Sequence, residues 1–421
     1  MHTCSEMPYH IGVLLKLHLS ETGKRLVAVN DGAQRSVYNH LIACNNEIYR
    51  LKKTAAYVPS DRKRIDYLYS VSATAAAIKN ALPYLYEKDV DCQTVENGIR
   101  NYRIAWKNRK ERHTGVPAFH KKSAEQVWQT NCHYNAQSTG LSNGTVRFTD
   151  RHHIMLPKLG KVRFDGSPKV IEMLLSHNED TRIGTVTIRR DAASEYWVSL
   201  QISSETPFKQ VLPKTGRQCG IDLNLLDLVN DSDGNTTPNK RFRKVSEHRI
   251  EKQQRALSRK VEAAKRDGRT LAASRNYQKQ RIKLAKTHRL IARQRDEYLN
   301  IISKHMVENQ DLIAAENLKV RNLLKNHCLA KSISDAGWRT LLTLLQQKAD
   351  MYGKTVILVS PQYTTQTCSY CGHVLKGEAM LPLSAREWTC PVCGTHHLRD
   401  QNAAQNILTK ALIVTAETAL T

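Results

Sequence analysis

The amino-acid sequence predicts a multidomain protein, α+β in its first half and α/β in its second, with a small metal-binding module near its C-terminal end. Three observations predict this. A strand-like alternation at residues 11–19 is followed by a long stretch of helical period, and then by short β-branched runs between about 144 and 205. From about 213 onward, apolar strands alternate with helical segments, as in an α/β core with a partly parallel sheet. Four of the ten cysteines fall into two C-x-x-C pairs, Cys368 with Cys371 and Cys390 with Cys393.

In order along the chain, Ile11, Val13, Leu15, Leu17 and Leu19 share one face, as in a half-buried strand. Val37, Leu41, Cys44, Ile48 and Leu51 then repeat at three to four residues, and helix-like stretches continue to about 135. This block contains "NYRIAWKNRKERHTGVPAFHKK", where aromatic residues interleave with Lys and Arg, a composition suited to nucleic acid. "TVRFTD", "KVRFDG", "TVTIRR" and "EYWVSLQIS" read as strands of a sheet or small barrel that the strand at 11–19 joins. The helical block is then an insertion into a β-domain. "QCGIDLNLLDLVNDSDGN" reads as two strands with a tight turn at Asp233-Gly234. Residues 245–309 form a basic helical stretch broken near Asp267-Gly268, as in a hairpin. "DLIAAENL" is a buried strand, "ISDAGWRTLLTLLQQKADMYG" a helix, "KTVILVS" a strand and "DQNAAQNILTKAL" a helix.

Composition bounds the function. The 421 residues are 40% hydrophobic and 24% charged, which fits a soluble globular protein of several domains. No apolar run reaches the length of a membrane span and no signal peptide opens the chain, so a cytosolic protein is expected. Lys and Arg number 64 against 39 acids, a formal charge of +25. Such an excess points to a polyanion, nucleic acid first, because neutralising phosphates releases condensed counterions. Cys4, Cys44, Cys92, Cys132, Cys219 and Cys328 are scattered singly and read as ordinary thiols. The paired cysteines, separated by eighteen residues, match a closed tetrahedral thiolate zinc site. That leaves no position for water, so zinc is scaffold and not catalyst.

Three acids carry the chemistry. Asp222 closes one apolar strand, Glu316 closes another, and Asp400 opens a helix seven residues after the last cysteine. Each alone has a structural reading, as turn residue, salt-bridged acid and helix cap. Together, converging on one sheet edge, they could hold two divalent cations about 3.5–4 Å apart, which activate a water and stabilise the leaving oxygen of a phosphodiester.

"GIDLN", "AAENLKVRNLLKN", "LAKSISDAGWRTL", "PQYTTQTCSYCG" and "CPVCG" followed by "RDQNAAQNIL" together resemble TnpB proteins, the RNA-guided nucleases of insertion-sequence transposons akin to compact type V CRISPR effectors. The resemblance covers roughly residues 213–412, and "TGVPAFHKK" and "SVYNHLIACNNEIYRLKK" extend it loosely toward the N-terminus. It implies a wedge β-barrel at 1–20 and 141–212 with a helical recognition domain inserted at 21–140. It further implies an RNase H-type, RuvC-like nuclease domain at 213–365 and 397–421 with a zinc ribbon at 366–396. Asp222, Glu316 and Asp400 match the family's metal-binding acids, for Mg²⁺ or Mn²⁺, and Cys368, Cys371, Cys390 and Cys393 its zinc ligands. Asn224 stands where the family commonly has glycine, and Leu398 where it often has an acid.

The implied partners are a structured guide RNA and target DNA beside a short flanking motif, bound by a monomer acting on DNA in a prokaryotic cytoplasm. A guide-dependent repressor descended from such nucleases would lack one of the acids, and all three are present. A transposase would use the same acids to join as well as cut, but no separate helix-turn-helix end-binding domain is visible. A basic zinc-containing RNA-binding protein leaves the acid trio unexplained.

Overall fold

The computed structural model describes residues 4–54, 59–134, 140–177, 179–382 and 384–420. The chain divides into two compact units between Phe208 and Lys209.

The first unit is built on a seven-stranded antiparallel sheet. β1 (Tyr9–His18) runs into α1 (Glu21–Thr54), α2 (Pro59–Ser72), α3 (Ala75–Ala81) and α4 (Gln93–Arg112) before the chain returns as β2 (Gln126–Asn131). β3 (Arg147–Asp150), β4 (His153–Leu156), β5 (Gly160–Asp165), α5 (Pro168–Ser176), β6 (Thr181–Arg190) and β7 (Tyr196–Ser204) complete it. The strand order is β2-β6-β7-β1-β5-β4-β3, with β1 in the middle. The alternation in β1 dictates this place: Leu15 lies opposite Val198 and Leu17 opposite Tyr196, and all four are buried in one apolar core. The inserted helices close a separate core around Val37, Leu41, Ile78 and Val95.

Helical character ends sooner than the sequence suggests. α4 stops at Arg112, where His113 adopts a left-handed backbone, and the stretch expected to stay helical to about 135 contains β2. Trp128 and Thr130 of β2 point into the core while Val127 and Gln129 do not, a period of two that the polar run before it, with Lys121, Lys122 and Glu125, obscures.

The second unit holds a five-stranded mixed sheet, order β10-β9-β8-β11-β12. Its strands are β8 (Gln218–Asp222), β9 (Asp227–Asp231), β10 (Thr236–Pro238), β11 (Leu312–Glu316) and β12 (Thr355–Val359). β8, β11 and β12 are parallel and β9 is antiparallel to β8. α6 (Phe242–Val245), α7 (Glu247–Arg266) and α8 (Arg275–Asn309) intervene, the last two packing as the expected hairpin. α9 (Val320–Leu323), α10 (His327–Ala336) and α11 (Trp338–Tyr352) follow β11. The sequence reads as one continuous helix across Gly337, but the chain breaks there. Gly337 is left-handed (φ 70°), and a Cβ on it would stand 2.9 Å from Leu299 Cδ1 of α8.

The ribbon hairpin β13 (Glu387–Thr389) and β14 (His396–Leu398) leads without a linker into α12 (Arg399–Leu420). Among the described residues no helix is long and apolar enough to cross a membrane.

Candidate active site and metal centre

Asp222 and Glu316 end neighbouring parallel strands. Ala315 pairs with Ile221, so the next residue of each strand, an acid, emerges at the same edge of the sheet. Both are buried, at 7% exposure each. α12 brings the third acid. It packs directly on the backbone of β8, so closely that a Cβ on Gly220 would lie 2.0 Å from the Ala404 carbonyl oxygen. Only glycine fits there, and the tight seam sets where the first turn of α12, with Asp400, meets the sheet. The positive end of the helix favours a carboxylate at that turn.

Asp222 feels both of the other acids. Burial first, then the negative charges of Glu316 and Asp400, push the Asp222 carboxyl up to about 7, against the pull of Arg399 and the Asn224 amide. Burial also pushes Glu316 up, opposed by the Thr364 hydroxyl and Lys410. Such a cluster gains from a divalent cation, which supplies the missing charge through oxygen ligands.

Several surrounding residues escaped sequence reasoning. The Asn224 side-chain oxygen accepts from the backbone N–H groups of Leu226 and Asp227, both at 2.9 Å, which turns its amide nitrogen toward Asp400 Oδ2 at 3.2 Å. The residue that departs from the family's glycine thus steadies an acid. Arg399 Nε lies 3.1 Å from Asp400 Oδ1, and Arg386 of the ribbon 3.5 Å from Oδ2. Thr364 donates to Glu316 Oε1 at 2.6 Å. The one available signal was that "RDQNAAQN" and "PQYTTQT" are polar where helix and loop should be packed.

The cysteines form the second site. Among the described residues they are the one group of three or more potential ligands whose ligand atoms all lie within 4.8 Å of one another. Sγ of Cys368 is 3.6 Å from that of Cys393, and Cys371 is 3.7 Å from Cys390. A tetrahedral zinc with Zn–S bonds near 2.3 Å requires sulfur–sulfur edges of about 3.8 Å, so the donor set fits. Each pair sits on a knuckle closed by backbone bonds, Gly372 N–H to Cys368 O and Gly394 N–H to Cys390 O, both 2.9 Å. The Thr395 hydroxyl and backbone N–H pull the Cys393 thiol down to about 6. Against the pull of the His373 backbone N–H, desolvation and crowding by the other three thiols push Cys371 up to about 12, so the four share their protons unevenly. His397 was not anticipated. Its Nε2 stands 3.0 Å from Cys368 Sγ, and its ring lies against Trp388.

Comparison with known proteins finds relatives along most of the chain. Residues 199–327 match the family model OrfB_IS605, described as a probable transposase, and residues 338–407 match the TNB domain of Cas12f1-like proteins. A Streptomyces pristinaespiralis protein named for RNA-guided DNA endonuclease activity is 29% identical over 387 residues, spanning 91% of this chain and 85% of its own. InsQ of Escherichia coli K12, named in the same way, is 28% identical over 395 residues, 90% and 86% of the two chains. These matches make the chain similar to the TnpB family. Its backbone also resembles that of a compact effector. Cas12f1, solved by cryo-electron microscopy in complex with sgRNA and target DNA, superposes with a TM-score of 0.56 at 14% identity, covering 95% of this chain and 98% of that one. That likeness concerns the fold alone.

Proposed function

We propose that this protein is an RNA-guided DNA endonuclease of the TnpB family whose phosphodiester chemistry runs at the edge formed by Asp222, Glu316 and Asp400. The observation that carries the reading is the convergence of three acids at one sheet edge, two of them buried and Asp222 repelled by the other two, in a chain whose relatives are named for that activity. Two Mg²⁺ or Mn²⁺ ions bound there would supply a nucleophilic water and neutralise the leaving oxygen. The chain's own part is to bring the carboxylates together and orient them. β8 and β11 fix Asp222 and Glu316, α12 fixes Asp400, and the Asn224 amide bridges toward Asp400 without adding charge.

In the domain terms of the family, 213–365 and 397–421 act as the RuvC-like nuclease domain and 366–396 as a zinc ribbon with Cys368, Cys371, Cys390 and Cys393 as ligands. The sheet of the first unit acts as the wedge, and α1–α4 as the recognition domain. The basic surface holds a structured guide RNA and its heteroduplex with target DNA, sequence being read by base pairing and a short flanking motif by the protein. The retained acids argue against a cleavage-free repressor, and the names of the two relatives that match most of the chain favour cutting over the transposase-type joining in the description of OrfB_IS605.

The test has two steps. RNA that co-purifies with the protein is sequenced, and one abundant structured species is expected. The loaded protein is then given matching DNA, and cleavage is expected with Mg²⁺ or Mn²⁺ but not with EDTA. Random cellular RNA and metal-independent cutting would overturn the reading.

A further inference from the structure

The loop that joins β12 to the ribbon contains Thr364, a buried residue at 2% exposure whose hydroxyl lies 2.6 Å from Glu316 Oε1. That separation is the one expected of a hydroxyl donating to an ionised carboxylate. The same hydroxyl also lies 3.1 Å from the Pro361 carbonyl, and with a single proton it can serve one of the two at a time. The loop around it is held by α12. Asn406 donates from one amide to the carbonyls of Thr364 and Thr367, at 2.9 and 2.7 Å. Asn402 donates to Thr367 O at 2.7 Å and accepts from the backbone N–H of Ser369 at 2.9 Å, the residue after the first zinc-site cysteine. Lys410 reaches the carbonyl of Ser360 at 3.3 Å and also that of Gln362. Residues 402, 406 and 410 are spaced one helical turn apart, so a single stripe of α12 grips the whole loop.

We propose that Thr364 is a positioning residue for Glu316. α12 carries Asp400 on its first turn and, through Asn402 and Asn406, carries the loop whose Thr364 hydroxyl sets the rotamer of Glu316. The second and third acids are thereby referenced to one helix, although they come from separate parts of the chain. With Oε1 engaged, Oε2 of Glu316 is the oxygen left to a divalent cation. This inference rests on the endonuclease reading, because it gives Glu316 a ligand's task. A hydroxyl that merely satisfied a buried acid would affect stability and leave metal affinity alone.

The experiment uses full-length, guide-loaded protein carrying Thr364→Val, which keeps the shape and removes the hydroxyl, and Thr364→Ser, which keeps the hydroxyl. Mn²⁺ binding is followed by electron paramagnetic resonance, with zinc content, RNA affinity and cleavage kinetics alongside. Residues that orient metal ligands typically change affinity or activity by about 10- to 100-fold. Thr364→Val should therefore weaken Mn²⁺ binding and lower kcat by about that range, with zinc, RNA affinity and KM for DNA unchanged, and Thr364→Ser should recover most of both losses. Asn406→Ala, which loosens the loop and leaves the hydroxyl in place, should move both quantities in the same direction by less, and it carries the test if Thr364→Val does not fold. Wild-type Mn²⁺ affinity and kcat in Thr364→Val, or equal impairment of the Ser and Val variants, overturns the proposal. A wild-type protein that neither binds Mn²⁺ nor cuts overturns the endonuclease reading instead, so the two failures are distinguishable.

Discussion

Two clusters of ionisable side chains lie in the second unit and are built in opposite ways. The four thiols come from one short segment, Cys368 to Cys393, on two backbone-closed knuckles, and their sulfurs already stand near the edge lengths of a tetrahedral site. The three carboxylates come from residues 222, 316 and 400, on two strands and a helix, and are not packed to that closeness. A closed set of soft ligands suits a metal that stays in place. An open set of oxygens suits ions that must also touch water and a phosphate. The difference teaches that the first cluster is local architecture, whereas the second is a property of the tertiary fold.

The sharpest way to break this comparison is to remove one carboxylate. Asp222→Ala, Glu316→Ala and Asp400→Ala should each abolish DNA cleavage while RNA affinity, measured by filter binding, stays within about twofold, since on the proposed two-ion reading the acids would hold metal and not RNA phosphates. Cleavage at the normal rate by Asp222→Ala would end the two-ion assignment.

Next in size is Cys390→Ser. Zinc, measured by atomic emission, should leave, and the hairpin running into Arg399 and Asp400 should lose its anchor. Misplacing a catalytic group by about 1 Å can cost roughly a hundredfold, so cleavage should fall by that order while RNA binding persists. Full cleavage without zinc would make the two clusters independent.

A third, smaller effect separates the clusters by pH. Asp222 titrates at about 7 in the folded, metal-free protein and at about 3.9 when unfolded, so between those values the folded state holds the extra proton. Stability of the metal-free protein therefore falls as pH rises through this window and is lowest above it. Asp222→Asn should raise Tm at pH 8 by the equivalent of about 1–2 kcal/mol, scarcely change it near pH 4, and abolish stabilisation by Mg²⁺. An unchanged Tm at pH 8 would mean that the buried charge is compensated already.

The smallest effect concerns neither site. Charge reversal at Arg255, Arg259 and Lys260, all exposed on α7, should weaken guide RNA binding a few-fold and flatten its salt dependence by about one unit of slope for each phosphate no longer neutralised. Unaltered affinity and slope would assign that helix face to solvent.

These differences also explain what was legible in the sequence. Cysteine spacing alone gives the thiolate site, and Tyr196, Val198, Leu200 and Ile202 declare the β7 strand by period alone. The acids were findable because each ends or begins a clear element and because their order matches a family. Partners brought together only by the tertiary fold were not. Asn224 meets Asp400 across 176 residues and Thr364 meets Glu316 across 48, and nothing local marks either pairing. β2 was missed because only Trp128 and Thr130 of its short run face the core, and the break at Gly337 because a lone glycine inside a helical period also fits an unbroken helix.

The seam between Gly220 and α12 has a bearing on how the protein comes to be made. β8 is synthesised well before α12, and the groove beside Gly220 stays unfilled until α12, with Ala404 and Leu408, has followed it. The edge that holds Asp222 and Glu316 is therefore one acid short, and lacks the Asn406 grip on the Thr364 loop, until α12 has been made. Since domains generally fold as they emerge, N-terminal parts first, the nucleic-acid-holding surfaces would mature well before the cutting edge does. A nascent chain could engage RNA for many seconds in a form unable to harm the DNA beside it.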